Sequence, residues 1–264
     1  MQRVGIIGFG NMGSSIARGL AAKDPDLRFD VVDPSRTARE RAVREFTATD
    51  CTETPERLFE RCELIVLATK PQDLEATAGQ LRAHSAGAAI ISVLAGTPLR
   101  RISERFATAR VVRFMPSLAA GVGKALVGVA FGEEADETLR ERALAVAGAI
   151  GTPLVVDERL LAAITGVSGS GLAYAFSFAH ALALGGVSTG LTYDEALRAA
   201  ITVLDGAAEV LRATGEHPEA LASRVSSPAG TTIRGLAALE RGAFTATVIE
   251  AVEQAAARAV ELEG

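Results

Sequence analysis

An apolar run at residues 4–7 leads without a break into Gly8-Phe9-Gly10-Asn11-Met12-Gly13, and a helical pattern carrying Ile16, Ala17 and Leu20 follows at once. A strand, three glycines at this spacing and then a helix leave the backbone few choices. The first glycine permits a tight turn, the second lets the main chain approach a charged ligand, and the third lets the helix pack close to the strand. The helix N-terminus then presents unpaired N–H groups and the positive end of its dipole, an arrangement suited to a pyrophosphate. Asp33 stands twenty positions beyond Gly13, at the end of the next apolar run, 29–32. An acid at that place accepts from a ribose hydroxyl. A plain glycine-rich turn needs no such acid, so the segment reads as the start of a dinucleotide-binding βαβ unit.

The phosphate state of the dinucleotide stays open. Asp33 suits a ribose 2′-hydroxyl and repels a 2′-phosphate, whereas Ser35 and Arg36 can bind that phosphate through a hydroxyl and a planar guanidinium. Arg36 reads equally well as a solvated residue at the start of a helix. The expected cofactor is NADPH or NADH.

Further apolar runs follow at 64–68, 88–94 and 110–114, with two more at 126–131 and 152–156. Runs of this length predict strands buried on both faces, and the helical patterns between them (36–46, 72–83, 98–106, 136–147) supply the crossovers. The rhythm is that of a doubly wound α/β sheet. It stops near Asp157. From Leu160 onward only helical patterns remain: 195–211 sets Leu197, Ile201, Leu204, Ala208 and Leu211 on one stripe, with Thr214-Gly215 as its stop. A helix starts around Thr231, and a last one runs from about Thr245 to Glu261. The expected organisation is a dinucleotide-binding domain at 1–157 and a helical domain at 158–264.

Composition excludes several classes. Of 264 residues, 48% are apolar and 22% charged, enough apolar surface to offset the ordering entropy that keeps acidic chains unfolded. The net charge of −5 is spread without a basic block, so no nucleic-acid partner is expected. Cys51 and Cys62 have neither metal-site nor disulfide-framework spacing, and residues 1–10 carry no signal-peptide pattern; both point to a reducing cytoplasm. The stretch 160–193 holds no Asp, Glu, Lys or Arg. Its most apolar part, 172–187, is shorter than the roughly 20 residues of a bilayer span and includes Ser177 and His180, so a buried helix is predicted and no membrane partner.

A second motif, Val225-Ser226-Ser227-Pro228-Ala229-Gly230-Thr231-Thr232-Ile233, puts a Pro–Gly turn ahead of a helix. Hydroxyls and helix-start N–H groups together can receive a small carboxylate; ordinary N-capping by Thr231 is the plainer reading. His180 reads as a core histidine, His84 and His217 as exposed, and Tyr174 as a packing residue.

Five segments, Gly8 to Gly13, Ala68-Thr69-Lys70-Pro71, Arg113-Phe114-Met115-Pro116, Gly166-Val167-Ser168-Gly169-Ser170-Gly171-x-Ala173-Tyr174 and Ser226 to Thr232, occur in the order and spacing of the pyrroline-5-carboxylate reductases. The chain resembles that family over essentially its whole length. The resemblance implies a Rossmann-type domain followed by an all-helical dimerisation domain, and hydride transfer from NAD(P)H to the C=N carbon of a five-membered cyclic imino acid. It implies a hydroxyl of Thr232 at the ring nitrogen, and Ser227 with backbone N–H groups near Gly230, Thr231 and Thr232 on the carboxylate. The dinucleotide would be met by Gly8, Gly10, Asn11, Met12, Gly13, Asp33, Ser35 and Arg36, and by Ala68, Thr69, Lys70, Pro71, Ala95 and Gly96 at two strand ends. No metal is implied. The helical half would form a homodimer, with assembly beyond the dimer left open.

Two departures stand out. Family members usually read Met-Pro-Asn-Thr-Pro where this chain has Met115-Pro116-Ser117-Leu118-Ala119, and a proline where it has Leu172. The first motivates a rival reading, a paralogous reductase of pyrroline-2-carboxylate or a six-membered analogue. A dinucleotide-binding regulator without catalysis is the rival from another class.

Overall fold

A computed structural model describes residues 1–263. It divides into two compact units, one made of Met1–Ser170 with the segment from Gln254 onward, the other of Gly171–Glu253. The sequence reading placed its boundary at residue 157, where hydrophobic periodicity changes; the division at 170 follows packing, which is a different property.

The first unit runs β1 (Arg3–Ile7), α1 (Asn11–Lys23), β2 (Arg28–Val32), α2 (Arg36–Phe46), β3 (Thr49–Asp50), α3 (Glu56–Arg61), β4 (Leu64–Leu67), α4 (Leu74–Leu81), β5 (Ile90–Ser92), α5 (Leu99–Phe106), β6 (Val111–Met115), β7 (Ala125–Phe131), α6 (Glu137–Ile150), β8 (Gly151–Val155) and α7 (Leu161–Ile164). The strands form one sheet in the order β3-β2-β1-β4-β5-β6-β7-β8. Side chains alternate between its faces, as strand geometry requires. Val4, Ile6, Phe29, Val66 and Val112 pack with Ile16, Leu20, Leu139 and Val146 on one face. Ile7, Ile65, Leu67 and Ile90 pack with Leu74, Leu81, Ile102 and Phe106 on the other. Each such side chain contributes about 1.5–3 kcal/mol by burial, so the sheet is held from both sides.

Three features depart from the sequence reading. Strand β3, two residues long, was not predicted. Strand β7 pairs antiparallel to β6, and β8 pairs parallel to β7, so the last two strands run against the rest. β8 is an edge strand with Leu154 and Val155 exposed, not a strand buried on both faces. Its Pro153 sits where a proline is tolerated in a sheet.

Two helices end on non-glycine residues in the left-handed region. Thr47 (φ 51°) closes α2 and Ala107 (φ 51°) closes α5; Ala229 and Ala243 adopt the same conformation.

The second unit holds α8 (Gly171–Ser188), α9 (Tyr193–Thr214), α10 (Pro218–Arg224), α11 (Thr231–Arg241) and the first half of α12 (Phe244–Glu261). α9 starts with a capping box between Thr192 and Glu195 and ends at Gly215, the predicted stop. α8 and α9 approach through small residues: a Cβ on Gly186 would lie 2.6 Å from that of Ala196.

Contrary to expectation, α8 is not buried within the chain. Only Ala179 and Ala183 are covered, while Phe176, Leu184 and Val187 are exposed. Ile201 and Leu211 of the predicted α9 stripe are exposed as well. His180 is likewise exposed in the single chain, its Nδ1 2.9 Å from the Tyr193 hydroxyl. The helical run Glu158–Ser188, 31 residues with α8 at its end, is by length and composition long and apolar enough to cross a membrane; the sequence estimate counted only 172–187. The run contains a π-turn at Thr165–Gly169, closed by Ser170 N–H donating to the Thr165 carbonyl.

Candidate active site

In the first unit, the chain leaves β1 at Gly8, whose φ of 93° suits glycine, and whose N–H donates to the Val32 carbonyl at 2.8 Å. A Cβ on Gly8 would stand 2.7 Å from the Ala68 carbonyl, and one on Gly13 only 2.1 Å from the Gly8 oxygen. Around Gly10, by contrast, a Cβ would meet nothing within 4 Å. Gly8 and Gly13 thus close the turn, and Gly10 leaves open space above it. The first α1 hydrogen bond is Ser14 N–H to Gly10 O, and Gly10 has no side chain to cap the helix, so the N–H groups of Asn11, Met12 and Gly13 face out of the first turn. Residues of this geometry fit a pyrophosphate.

Asp33, 7% exposed, is committed to the loop. One carboxylate oxygen accepts from Phe9 N–H at 2.6 Å and the other from Ser35 N–H at 2.7 Å. Ser35 caps α2, its Oγ accepting from Ala38 N–H, and Arg36 points to solvent in an ion pair with Glu40. A cavity of about 380 Å³ lies between the glycine loop and α2, lined by Phe9, Gly10, Asp33, Ser35, Arg41 and Arg44 among others.

Arg41 was missed by sequence reasoning. Its guanidinium donates to the Phe9 and Gly10 carbonyls and lies over the Phe9 ring, 5.6 Å from the centroid. Asp33 and Arg41 thus grip the loop by opposite backbone groups of one residue. The signal was weak: Arg41 lies three residues after Ala38 and next to buried Ala42, on the edge of the inward helix face. Arg41→Ala is expected to weaken NADH and NADPH alike by about tenfold, the worth of a charged hydrogen bond. Titration of both reduced dinucleotides checks this; loss of NADPH binding alone would make Arg41 a reader of the 2′-phosphate.

Thr69 stands just after β4 with its hydroxyl buried and unpartnered, an orphan that a ligand group can satisfy. Lys70 is exposed and Pro71 opens a short 3-10 turn. Ala95 and Gly96 follow β5. Gly96 adopts a φ of 62° and is approached by the Leu262 carbonyl, 2.8 Å from where its Cβ would be.

In the second unit, residues 227–230 form a turn. Gly230 N–H donates to the Ser227 carbonyl at 3.0 Å, Pro228 takes the second place, and Ala229 supplies the positive φ of 56° at the third. This is the type II pattern, in which the third place favours glycine. The helix α11 begins one residue earlier than N-capping by Thr231 would require: Gly230 is the N-cap, without a side-chain cap, and Thr231 and Thr232 occupy the first two helical places. A Cβ on Gly230 would lie 2.2 Å from the Ser227 Oγ. Glycine is needed there so that a hydroxyl and the uncapped N–H groups converge, an anion receptor in chemical character.

The second unit also holds an apolar cavity of about 780 Å³ lined by Tyr174, Phe178, Leu182, Leu239, Phe244 and Val248 among others. Tyr174 donates to the Ala251 carbonyl at 3.0 Å, a packing role as expected. Among the described residues, no group of three or more His, Cys, Asp or Glu could hold a metal ion. Both cysteines are free thiols; burial raises Cys51 to about 11 and Cys62 further, so both stay neutral at physiological pH.

Residues 158–262 match the family model described as pyrroline-5-carboxylate reductase dimerisation, and residues 3–96 match NADP oxidoreductase coenzyme F420-dependent. The pyrroline-5-carboxylate reductase of Arabidopsis thaliana is 38% identical over 98% of this chain and 95% of its own length. That of Synechocystis sp. is 35% identical over 98% of both. A solved pyrroline-5-carboxylate reductase from Coxiella burnetii, 27% identical, superposes with a TM-score of 0.92 over 99% of this chain and 98% of that one. Likeness at this level, sustained through both units, means that the chain belongs to the pyrroline-5-carboxylate reductase family.

Proposed function

We propose that this chain reduces 1-pyrroline-5-carboxylate to L-proline, the last step of proline biosynthesis, with NADPH or NADH as reductant. The relatives from Arabidopsis thaliana and Synechocystis sp. carry the name of that activity. The observation that carries the reading is the start of α11, where the Ser227 hydroxyl stands against an uncapped helix start, a grip for a carboxylate, and Thr232 in the second helical place supplies the hydroxyl assigned to the ring nitrogen. When bound at the glycine cradle, the dinucleotide supplies a hydride. Gly8, Gly10, Asn11, Met12 and Gly13 hold its pyrophosphate; Asp33, Ser35 and Arg36 stand on the side of its adenosine ribose, and Ala68, Thr69, Lys70, Pro71, Ala95 and Gly96 border it at the carboxyl ends of β4 and β5. Ser227, Gly230 and Thr231 hold the substrate carboxylate. Thr232 holds the proton at the imine nitrogen, so that the imine carbon accepts the hydride and the ring becomes a secondary amine. Residues 1–157 serve the dinucleotide, and 158–264 serve substrate and self-association.

Steady-state oxidation of NADPH and NADH with pyrroline-5-carboxylate as acceptor tests the reading. Faster turnover of pyrroline-2-carboxylate, whose imine carbon bears the carboxylate, would favour the paralogue that Ser117-Leu118-Ala119 suggests. Dinucleotide binding with no oxidation by any cyclic imine would favour a regulator.

A second copy of the chain is the proposed cover for the apolar faces of α8 and α9, because Phe176, Leu184, Val187, Ile201 and Leu211 are large apolar side chains left exposed along them. The reading calls for no nucleic acid and no membrane, and the two free thiols suit the cytoplasm. Phe176→Glu, a change at a residue 59% exposed in the single chain, is expected to shift sedimentation from dimer to monomer. An unchanged dimer would move the interface elsewhere.

A further inference from the structure

Arg113 of β6 is 3% exposed and bridges two carboxylates from distant parts of the first unit. One nitrogen donates to Glu158 Oε1 at 3.0 Å, the other to Glu263 Oε1 at 2.5 Å. The same Glu158 oxygen accepts from Leu99 N–H, at the start of α5, at 2.7 Å. Arg113 is also the register partner of Ser92, the last residue of β5. The loop at residues 93–98 therefore leaves β5 beside Arg113 and ends at an N–H held by an Arg113 partner. Its middle, at Gly96, lies under the carbonyl of Leu262, the neighbour of the other Arg113 partner.

A guanidinium suits this node because it is always charged and presents rigid, planar donors to two carboxylates at once. Burial strengthens the pairing, since an unpaired charge there is costly. We infer that Arg113 is a positioning residue: through Glu158 and Glu263 it makes the segment Leu262–Glu263 a strap that fixes loop 93–98 for binding of the dinucleotide. This rests on the proposed cofactor reading, in which the carboxyl end of β5 borders the ligand.

The test uses the full chain with Glu263→Ala and Glu263→Gln, which act at the half-buried end of the strap and leave Arg113 and Glu158 in place. Amide hydrogen exchange without dinucleotide is expected to speed up in loop 93–98 of Glu263→Ala. Fluorescence titration is expected to show about fivefold weaker binding of reduced dinucleotide, while kcat and the KM for the imine stay within about twofold, because a small misplacement acts on what the loop touches. Glu263→Gln keeps an acceptor and is expected to recover most of the affinity. Unchanged exchange in the loop, or a fall in kcat and a rise in both KM values together with a lower melting temperature, would overturn the inference. A wild-type chain that binds neither NADH nor NADPH would sink the cofactor reading and, with it, the functional half of the strap; the exchange result then stands on the loop alone.

Discussion

Gly13→Ala is expected to lower the affinity for reduced dinucleotide by about 100-fold or more, the scale of an ångström-level misplacement in a ligand site. The new methyl would stand 2.1 Å from the Gly8 oxygen and 3.2 Å from Ile6 Cγ2. Gly8 cannot yield, because its own N–H is tied to β2 and its backbone abuts Ala68. α1 must then move away from the loop, taking its free N–H groups with it. Gly10→Ala separates this from general damage. Its methyl meets no protein atom, so the melting temperature should hold while binding falls, the methyl occupying space meant for the ligand. Gly13→Ala protein that bound within threefold of wild type would show that loop closure is not what the ligand needs.

Thr232→Ala is expected to reduce kcat by about 100-fold, the low end of what a positioned proton donor contributes, with the dinucleotide affinity nearly unchanged. The substitution spares the fold, since alanine is a better helix former than threonine at the second place of α11. Thr232→Ser, which keeps a hydroxyl, should restore much of the rate. Pre-steady-state hydride transfer is the direct measurement. A rate untouched by Thr232→Ala would remove this hydroxyl from the chemistry.

How far the sequence could be read depends on how local each determinant is. Strands β1, β4, β5 and β6 were legible because both of their faces are covered by helices of the same chain, which leaves an uninterrupted apolar run. The reversal at β7 was also written there: residues 116–124 are fewer than the dozen or so that a parallel crossover needs. α8 and β8 misled because apolarity shows that a surface wants cover without showing which chain provides it. The glycine cradle lay in one contiguous segment, whereas Arg41 reaches Phe9 across 32 positions and only the tertiary fold brings them together. At α11 the helix starts at Thr231, as its sequence suggests, but the cap is Gly230, beside the left-handed Ala229, which residue preferences at the N-cap do not foretell.

Thr47, Ala107 and Ala243 hold left-handed dihedrals that glycine adopts freely, and none belongs to the cradle or the anion turn. Each replacement by glycine should raise the unfolding free energy by about 1 kcal/mol, the steric relief exceeding the added freedom of the denatured chain. The enzyme thus carries thermal headroom that can be drawn on without redesigning its chemistry. Ala229 is the exception: there the same relief would slacken the proposed grip on the carboxylate, so heat resistance and turnover would be traded against each other at one methyl group.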